Sequence, residues 1–379
     1  MAISRPDVVI IGGGIIGCAS AFYLSKAGIR CVVLERAQVA AEASSGAGGL
    51  LTTLAHADEA GAYFDLKRMG RALYDGLAQE LLERTDIDIE FRPLGHLVPA
   101  LAEAEAERIR ARVAWQAARG LPAEWLPARD ARELEPGLPP AALGAGWFRE
   151  DHHVNNTAVT QALAGAAVRM GAEVRTGVTV TDFLTEGRRV AGVRTGEGRV
   201  EAGTVVLAAG AWSCHFEKAA GVPVPVVPAK GQIVVARLPA PALRHVVYGE
   251  VYVIPRASGE HILGSTVEYV GYDKRVTVEG LAGILGQATT LVPALREAEM
   301  AASWGCLRPA TPDALPMIGP LPGRPGLLFA TGHFRNGILL GPITGQIIAE
   351  LVATGRSRVP IQPFRPDRAF PAGAPPDVK

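Results

Sequence analysis

Apolar residues near the start of the chain follow the pattern of a strand, a helix and a second strand. Val8–Ile11 is a short continuous apolar run of the kind that forms a buried strand, and the apolar segment 15–27 predicts a buried helix. A second apolar run then ends at Glu35. Parallel strands need a crossover helix between them, so this order predicts the first unit of an α/β sheet.

The helical period recurs further along the chain. Segment 58–84 carries apolar residues at three- and four-residue steps, which predicts a buried helix face formed by Leu66, Met69, Leu73, Leu77 and Leu81. The other predicted helices are 102–119, 156–170 and 343–351. Residues 121–140 contain five prolines and no sustained period, so this stretch is predicted to be irregular.

Short alternating segments predict two groups of strands. The first group ends in a β-branched run followed by small residues, and comprises segments near 173–175, 178–183, 190–194, 200–201 and 204–209. The second group comprises 232–237, 246–248, 251–254 and 261–267. A nucleotide-binding fold has no place for so many additional strands, so the second group predicts a separate antiparallel sheet.

Composition changes this picture mainly by excluding partners. The chain has 379 residues, of which 48% are hydrophobic, and its 38 Lys and Arg balance 38 Asp and Glu. This length suits more than one domain, and the balanced charge argues against nucleic acid or a membrane as a partner. The cysteines are scattered without metal-ligand spacing, at Cys18, Cys31, Cys214 and Cys306. We therefore expect a cytoplasmic protein without disulfides or a metal site.

The turn after the first strand carries the first chemical signal, the sequence GGGIIG at 12–17. Gly12 permits a tight turn, Gly14 lets backbone N–H groups approach a pyrophosphate, and Gly17 lets the helix pack closely on the sheet. The positive end of the helix would face the phosphates. Glu35 can accept hydrogen bonds from an adenosine ribose. The unit is therefore predicted to bind a dinucleotide.

A second glycine-rich segment lies near the other end of the chain. Residues 332–342 read GHFRNGILLGP and lead into the predicted helix 343–351. Bare N–H groups at a helix start favour an electron-rich partner. One nucleotide site explains one such cluster, so the second suggests a cofactor with another electron-rich end, such as the N1–C2=O edge of a flavin. Just upstream, a proline-stiffened stretch, 306–319, carries a single arginine, Arg308.

Together these motifs resemble the FAD-dependent D-amino acid oxidase superfamily, and within it the bacterial glycine oxidases of thiamine biosynthesis. The resemblance covers nearly the whole chain and rests on 12–17, Glu35, the loop SSGAGG at 44–49, YVIPR at 252–256, LRP at 307–309 and 332–340. It implies an α/β fold in which a Rossmann-like FAD-binding domain of the glutathione-reductase type interleaves with an antiparallel-sheet, α+β substrate domain. It also implies a homotetramer.

The implied FAD-binding domain comprises residues 1–85, 146–225 and 302–379, and the substrate-binding domain comprises 86–145 and 226–301. The resemblance also implies a set of FAD contacts drawn from both glycine clusters, the 43–50 loop and the first sheet. These are Gly12, Gly14, Ile15, Ile16, Gly17, Glu35, Arg36, Ala43, Ser44, Ser45, Gly48, Gly49, Leu50, Val178, Gly210, Trp212, His333, Phe334, Arg335, Asn336, Gly337, Ile338 and Leu339.

Three side chains are implied to hold the substrate and serve catalysis. Arg308 would grip the substrate carboxylate, a role that suits the bidentate geometry of a guanidinium. Tyr252 would donate its hydroxyl to the same carboxylate, and Arg335 would line the pocket beside the flavin. The implied reaction is oxidation of glycine, sarcosine or a small D-amino acid by hydride transfer from Cα to flavin N5. The products would be a 2-oxo acid, ammonia or an amine, and hydrogen peroxide from O2.

The chain departs from the glycine oxidase pattern at the pocket and beside the flavin. Leu50 and Val267 stand where the best-known members carry methionines, which leaves the pocket volume and the preferred amine open. Cys306 falls where monomeric sarcosine oxidase attaches its flavin covalently. We favour a non-covalent flavin with Cys306 as a free thiol, because a buried cysteine usually behaves as a small inert hydrophobe.

Other functions stay open at this point. A quinone-linked dehydrogenase of D-amino acids or hydroxyproline, or a sarcosine oxidase-like enzyme, would use the same fold. A protein that holds FAD and binds a ligand without turnover is the non-enzyme alternative, but it gives Arg308, Tyr252 and Arg335 no task. An NAD-dependent dehydrogenase is disfavoured because it leaves the cluster at 332–341 unused.

Overall fold

In the computed structural model, which describes residues 5–238 and 243–371, the first predicted unit forms the centre of a six-stranded sheet. The strand order is Met317–Pro320, Leu327–Thr331, Thr204–Leu207, Val8–Ile11, Cys31–Glu35 and Glu173–Thr176. Neighbouring strands are parallel except for the first pair, which is antiparallel. The predicted strand–helix–strand unit is confirmed, with the helix at Ile15–Lys26.

The two faces of this sheet pack against different elements. Successive side chains of a strand point to opposite faces, so one strand shows both. Val8 and Ile10 pack against helices, whereas Val9 and Ile11 face a three-stranded antiparallel sheet. That smaller sheet comprises Val180–Glu186, Arg189–Thr195 and Gly198–Glu201. The parallel sheet is therefore buried on both faces, as its continuous apolar strands require.

The described helices differ in length but follow most of the predicted periods. The longer ones are Ile15–Lys26, Ala62–Thr85, Glu103–Ala117, Ala128–Leu134, Asn156–Arg169, Val278–Leu291 and Gly337–Thr354. Short helical turns occupy Ala43–Gly46, Gly210–Phe216, Glu217–Ala220, Pro293–Glu297, Phe334–Asn336 and Gln362–Phe364. The segment Phe334–Thr354 is apolar and long enough to cross a membrane, and 67% of it is buried inside the protein.

An eight-stranded sheet forms the second layer of the molecule. Its strand order is Glu299–Ala310, Val227–Arg237, Glu260–Gly264, Tyr252–Pro255, Val246–Tyr248, His96–Ala100, Gly144–Phe148 and Ala123–Pro127. The pairing is antiparallel except between Val246–Tyr248 and His96–Ala100. The predicted combination of a parallel nucleotide-binding sheet with a separate, largely antiparallel sheet is confirmed.

Two predictions about local structure are wrong. Residues 121–140 are not irregular, because they contain the strand Ala123–Pro127 and the helix Ala128–Leu134. In the helix Ala62–Thr85, Met69 is 43% exposed and does not belong to the buried face. Lys67, only 8% exposed, takes a place on that face instead.

The predicted domain boundaries stay predictions. Two strands run across them, since Gly144–Phe148 lies over residue 146 and Glu299–Ala310 lies over residue 302. Both strands pair within the eight-stranded sheet along their length.

Candidate functional site

One cavity of about 710 Å³ joins the two glycine clusters to the eight-stranded sheet. Gly12, Gly14 and Glu35 line it where the first helix begins. Tyr252 and Arg308, from the eight-stranded sheet, line its other end. Residues almost 300 positions apart in the sequence therefore share one wall.

The glycine turn has a backbone that side chains would block. Gly12 has a φ of +107°, and a Cβ there would stand 2.5 Å from the carbonyl oxygen of Ala208. A Cβ on Gly17 would overlap the carbonyl oxygen of Gly12. Both positions therefore require glycine, the first for the turn and the second for close packing of the helix.

Polar contacts fix the cavity wall around this turn. The Glu35 carboxylate accepts the N–H of Gly13 at 2.6 Å and the N–H of Ala37 at 2.8 Å. The Ser44 hydroxyl oxygen accepts the N–H of Ile15 at 2.9 Å, so it caps the first helix from a distant loop. Hydrogen bonds to backbone N–H groups therefore fix the Glu35 carboxylate and the Ser44 hydroxyl in the cavity wall.

Most residues implied to contact FAD line the cavity. They are Gly12, Gly14, Ile15, Ile16, Glu35, Arg36, Ala43, Ser44, Gly48, Gly49, Leu50, Val178, Gly210, Trp212, His333, Phe334, Arg335, Asn336, Gly337 and Ile338. Gly17, Ser45 and Leu339 do not line it. Gly17 packs against the turn, Ser45 donates its hydroxyl to the carbonyl of Glu42, and Leu339 is fully buried in the core.

Arg308 is held in place at the far end of the cavity. Its Nη1 donates to the carbonyl oxygen of Thr266 at 3.0 Å, and its Nη2 donates to the Ser265 hydroxyl at 2.6 Å. Gly231, on the neighbouring strand, has no side chain in the volume that the guanidinium occupies. An arginine has five N–H donors, so the remaining donors are available to a ligand.

Tyr252 lies beside Arg308 with its ring packed between two glycines. A Cβ on Gly264 would stand 2.7 Å from the Tyr252 hydroxyl, and one on Gly48 would stand 3.0 Å from its ring. Burial raises the pKa of Tyr252 to about 12, although the nearby positive charge of Arg308 opposes the rise. The hydroxyl therefore stays protonated near neutral pH and can donate a hydrogen bond.

Arg335 enters the cavity from the segment before the last long helix. Its Nη2 donates to the Tyr248 hydroxyl at 3.1 Å. Phe334, directly before it, has a φ of +44°, so the chain turns sharply here. Asn336, directly after Arg335, donates its side-chain N–H to the Tyr63 hydroxyl at 2.8 Å.

His333 and Cys306 are buried in the cavity wall. His333 Nε2 lies 3.0 Å from the Thr344 hydroxyl, and its Nδ1 has no hydrogen-bond partner in the described chain. Burial lowers the pKa of His333 to about 3, so the ring is neutral. The Cys306 thiol donates to the carbonyl of Gly46 at 3.3 Å, and burial raises its pKa.

The two positions that depart from the glycine oxidase pattern have different surroundings. Leu50 lines the cavity and packs against the apolar cluster around Tyr252. Val267 is not part of the cavity wall and packs against Phe334 and Ala310 instead. The expected effect on pocket volume therefore falls on Leu50.

Several cavity residues lie outside the sequence motifs: Thr52, His56, Tyr63, Lys67, Tyr248 and Ser265. The helical period does indicate a buried position for Lys67. Gly70, Tyr74 and Leu77 follow it at helical spacing, and all three are buried on the same face of the helix. A charged residue at a buried helical position is unusual and indicates a site.

Comparisons with known proteins agree with this geometry. The model of the DAO family, described as FAD dependent oxidoreductase, matches residues 7–351. A glycine oxidase of Geobacillus kaustophilus is 36% identical over 95% of this chain and 96% of its own length. A glycine oxidase of Pseudomonas aeruginosa is 33% identical over 95% and 98%. The crystal structure of the Geobacillus glycine oxidase covers 97% of this chain and 100% of its own, with 35% identity and a TM-score of 0.93.

Proposed function

The chain belongs to the DAO family of FAD-dependent oxidoreductases, and from that premise we propose that it oxidises glycine or another small amino acid with O2. The observation that carries the proposal is Arg308, fixed by Ser265 and Thr266 in the cavity that also holds the glycine turn. A fixed guanidinium beside a protonated tyrosine hydroxyl is a site for a carboxylate.

The cavity fits the FAD that the family uses. Gly12 and Gly14 place no side chain between the cavity and the start of the first helix, which leaves room for phosphates at its positive end, and Glu35 lines the same wall and could accept hydrogen bonds from a ribose. At the second cluster, Asn336 and Gly337 border the same cavity at the start of a helix. These residues would hold the two ends of one cofactor.

When bound, FAD would supply the acceptor for a hydride from the Cα of the substrate. Arg308 and Tyr252 bind the carboxylate and so determine which way Cα points. Because Arg308 is already held by two hydrogen bonds, little of its side-chain freedom remains to be lost on binding. Positioning of this kind accounts for a large part of the rate in reactions between held groups.

The direct test is to mix the purified yellow protein anaerobically with glycine, sarcosine, D-alanine, D-proline and L-amino acids. We expect flavin absorbance to bleach with at least one small achiral or D-amino acid. On admission of air, we expect the colour to return and hydrogen peroxide to form. No bleaching with any of these compounds would contradict the proposal and favour an FAD-holding binding protein.

The same experiment separates the remaining alternatives. Bleaching followed by slow recolouring without peroxide, and faster recolouring with an added quinone, would indicate a dehydrogenase. A clear preference for sarcosine over glycine would indicate a sarcosine oxidase-like specificity. A cytoplasmic location, expected from the scattered cysteines, and a homotetramer, expected from the resemblance, remain expectations that fractionation and light scattering test.

A further inference from the structure

Lys67 is a buried cation on the wall of the substrate end of the cavity. Its side chain is 8% exposed, and its ammonium group lies 5.4 Å from the centre of the Tyr63 ring. In residues 5–238 and 243–371, no carboxylate forms an ion pair with Lys67. The side chain is buried but its ammonium group is accessible from the cavity, so a cation without a partner anion stands where an anionic ligand could reach it.

The carboxylate whose charge acts on Lys67 belongs to Asp151, and it already has hydrogen-bond partners. Asp151 accepts the backbone N–H groups of Thr53, Leu54 and Ala55 at 2.7 to 2.8 Å and the Thr53 hydroxyl at 2.8 Å. Burial lowers the pKa of Lys67, and the negative charge of Asp151 only partly offsets this. The charge of Asp151 is therefore used to hold the 53–55 turn.

That turn presents His56 to the same part of the cavity. The His56 ring meets the Tyr248 ring edge-on at 4.2 Å between centres, and both line the cavity. The His56 side chain is exposed to the open cavity, but its distance from bulk water lowers its pKa, and the positive charges of Arg335, Arg112 and Lys67 lower it further. Three positively charged side chains are therefore close enough to the His56 ring to lower its pKa.

Two of the cationic side chains that line the cavity, Arg308 and Lys67, come from different elements. Arg308 projects from the eight-stranded sheet, and Lys67 projects from the helix Ala62–Thr85. A substrate with a single carboxylate uses only the first. An acidic group bound at the second would supply the partner anion that Lys67 lacks.

We propose that Lys67, with His56 and Arg335 beside it, forms a second anion subsite, and that the site prefers amino acids bearing a second acidic group. The inference rests on the proposed function, since it assumes that Arg308 holds the first carboxylate. It commits the site to dianionic amino acids such as iminodiacetate rather than to glycine alone.

The test compares two thioethers, in which sulfur replaces the amine so that no imine can form. Thiodiacetate carries two carboxylates and (methylthio)acetate carries one. Each is titrated into the yellow holoprotein at constant ionic strength, and the change in flavin absorbance gives the Kd. We expect thiodiacetate to bind at least about tenfold more tightly. Equal affinities would overturn the proposal by themselves, with no variant needed.

A variant then assigns the difference to Lys67. Lys67→Met keeps the length of the side chain and removes its charge, and we expect it to lose the preference for thiodiacetate while (methylthio)acetate binds within threefold of wild type. Lys218→Met, which removes an exposed lysine outside the cavity wall, should leave both affinities unchanged. Lys67→Arg should retain most of the preference.

The outcomes separate this inference from the proposed function. If Lys67→Met weakens both ligands equally or releases FAD, Lys67 serves packing or the cofactor, and the subsite is rejected. If wild type binds both thioethers equally but is still bleached by glycine, the subsite alone fails. If neither thioether binds and no amino acid bleaches the flavin, the proposed function fails as well.

Discussion

At the scale of single residues, Arg308 shows how a binding group is oriented before a ligand arrives. Its strand pairs with the strand of Ala229 and Gly231, and the guanidinium lies over Gly231 because no side chain stands there. Ser265 and Thr266 then fix the two terminal nitrogens. The small neighbour is therefore as necessary as the hydrogen bonds.

Gly231→Ala tests this dependence. The new methyl group would overlap the guanidinium, so Arg308 must move from its hydrogen bonds with Ser265 and Thr266. We expect (methylthio)acetate to bind the yellow variant at least about tenfold more weakly, which corresponds to about 1.4 kcal/mol. Titration of flavin absorbance measures it. Gly283→Ala, where a Cβ meets nothing within 4 Å, is the matched control.

A double variant shows whether Gly231 acts through Arg308. We expect Arg308→Ala alone to weaken the ligand at least tenfold while FAD stays bound. Adding Gly231→Ala to it should then cost almost nothing, because the group that the methyl displaces is already gone. Additive losses would mean that Gly231 affects the site by another route.

Whether the flavin is bound covalently depends on a single residue, Cys306. Cys306 lines the cavity, but burial raises the pKa of its thiol, and a thiol is a much weaker nucleophile than a thiolate. We therefore expect acid precipitation to leave the yellow colour in the supernatant. Cys306→Ser should behave in the same way. Yellow colour in the wild-type pellet, lost in Cys306→Ser, would show a covalent bond.

The sequence predicted those site residues that lie in local motifs. Gly12 and Gly14 could be assigned because a turn and a helix start constrain neighbours in the chain, and Arg308 because a family motif surrounds it. Lys67 and Tyr248 lacked such a motif. Their place in the cavity depends on packing between segments far apart in the sequence, which periodicity alone does not specify.

At the scale of elements, the segment 52–58 is held by three side chains from outside it. Asp151 binds its N–H groups, as described above, and Gln116 donates to the carbonyls of Leu54 and Ala57 at 2.7 and 2.9 Å. Arg112 forms an ion pair with Asp58 at 2.7 Å. A segment without regular structure thereby presents His56 in a defined position.

Gln116→Leu removes one of these supports with little change in volume. The carbonyl of Ala57 would then be buried without a donor, whereas that of Leu54 still accepts the N–H of Ala57, and we expect the free energy of unfolding to fall by about 1 kcal/mol. Urea titration of the holoprotein measures it. Gln79→Leu, at an exposed helix position, should change stability by less than about 0.5 kcal/mol. Equal effects of the two changes would refute the supporting role.

Helices and strands were predictable where the helical or alternating pattern of apolar residues continued over many positions. The helix 156–170 was placed to within one residue, and Asn155 caps its start by accepting the N–H of Ala158. The strand Ala123–Pro127 was missed because it is short and flanked by prolines, which an edge strand of the sheet tolerates. The helix Val278–Leu291 was missed because Gly280, Gly283 and Gly286 weaken its helical signal.

At the scale of the whole molecule, the cavity forms where the parallel sheet and the eight-stranded sheet meet. Many buried polar groups are needed to hold this junction together. Arg256, from the motif at 252–256, does not line the cavity but donates to the carbonyls of Val154 at 2.7 Å and Gly48 at 2.9 Å. It therefore joins the eight-stranded sheet to the loop at 44–49 and to the chain at Val154.

Three buried histidines make the stability of this assembly depend on pH. His96, His153 and His333 are 0%, 4% and 1% exposed, and burial lowers the pKa of each to about 3 from an ordinary value of 6.5. Between these values the unfolded chain binds protons that the folded chain does not. The free energy of unfolding therefore rises with pH in this window and falls on acidification.

We expect the loss to be visible between pH 6.5 and about pH 5, above the range in which most carboxylates titrate. Each histidine contributes a slope of up to about 1.4 kcal/mol per pH unit. Urea unfolding of the holoprotein at several pH values measures the total slope, to which the buried His152 and His261 also contribute, and His153→Gln should reduce it by up to about 1.4 kcal/mol per pH unit. Burial raises the pKa of Asp151, so protonation of this carboxyl at lower pH favours the folded state and opposes the effect of the histidines. The expected loss of stability therefore applies only to the range from pH 6.5 to about pH 5. A free energy of unfolding that stays flat across this window would mean that these rings take up protons without leaving the folded interior.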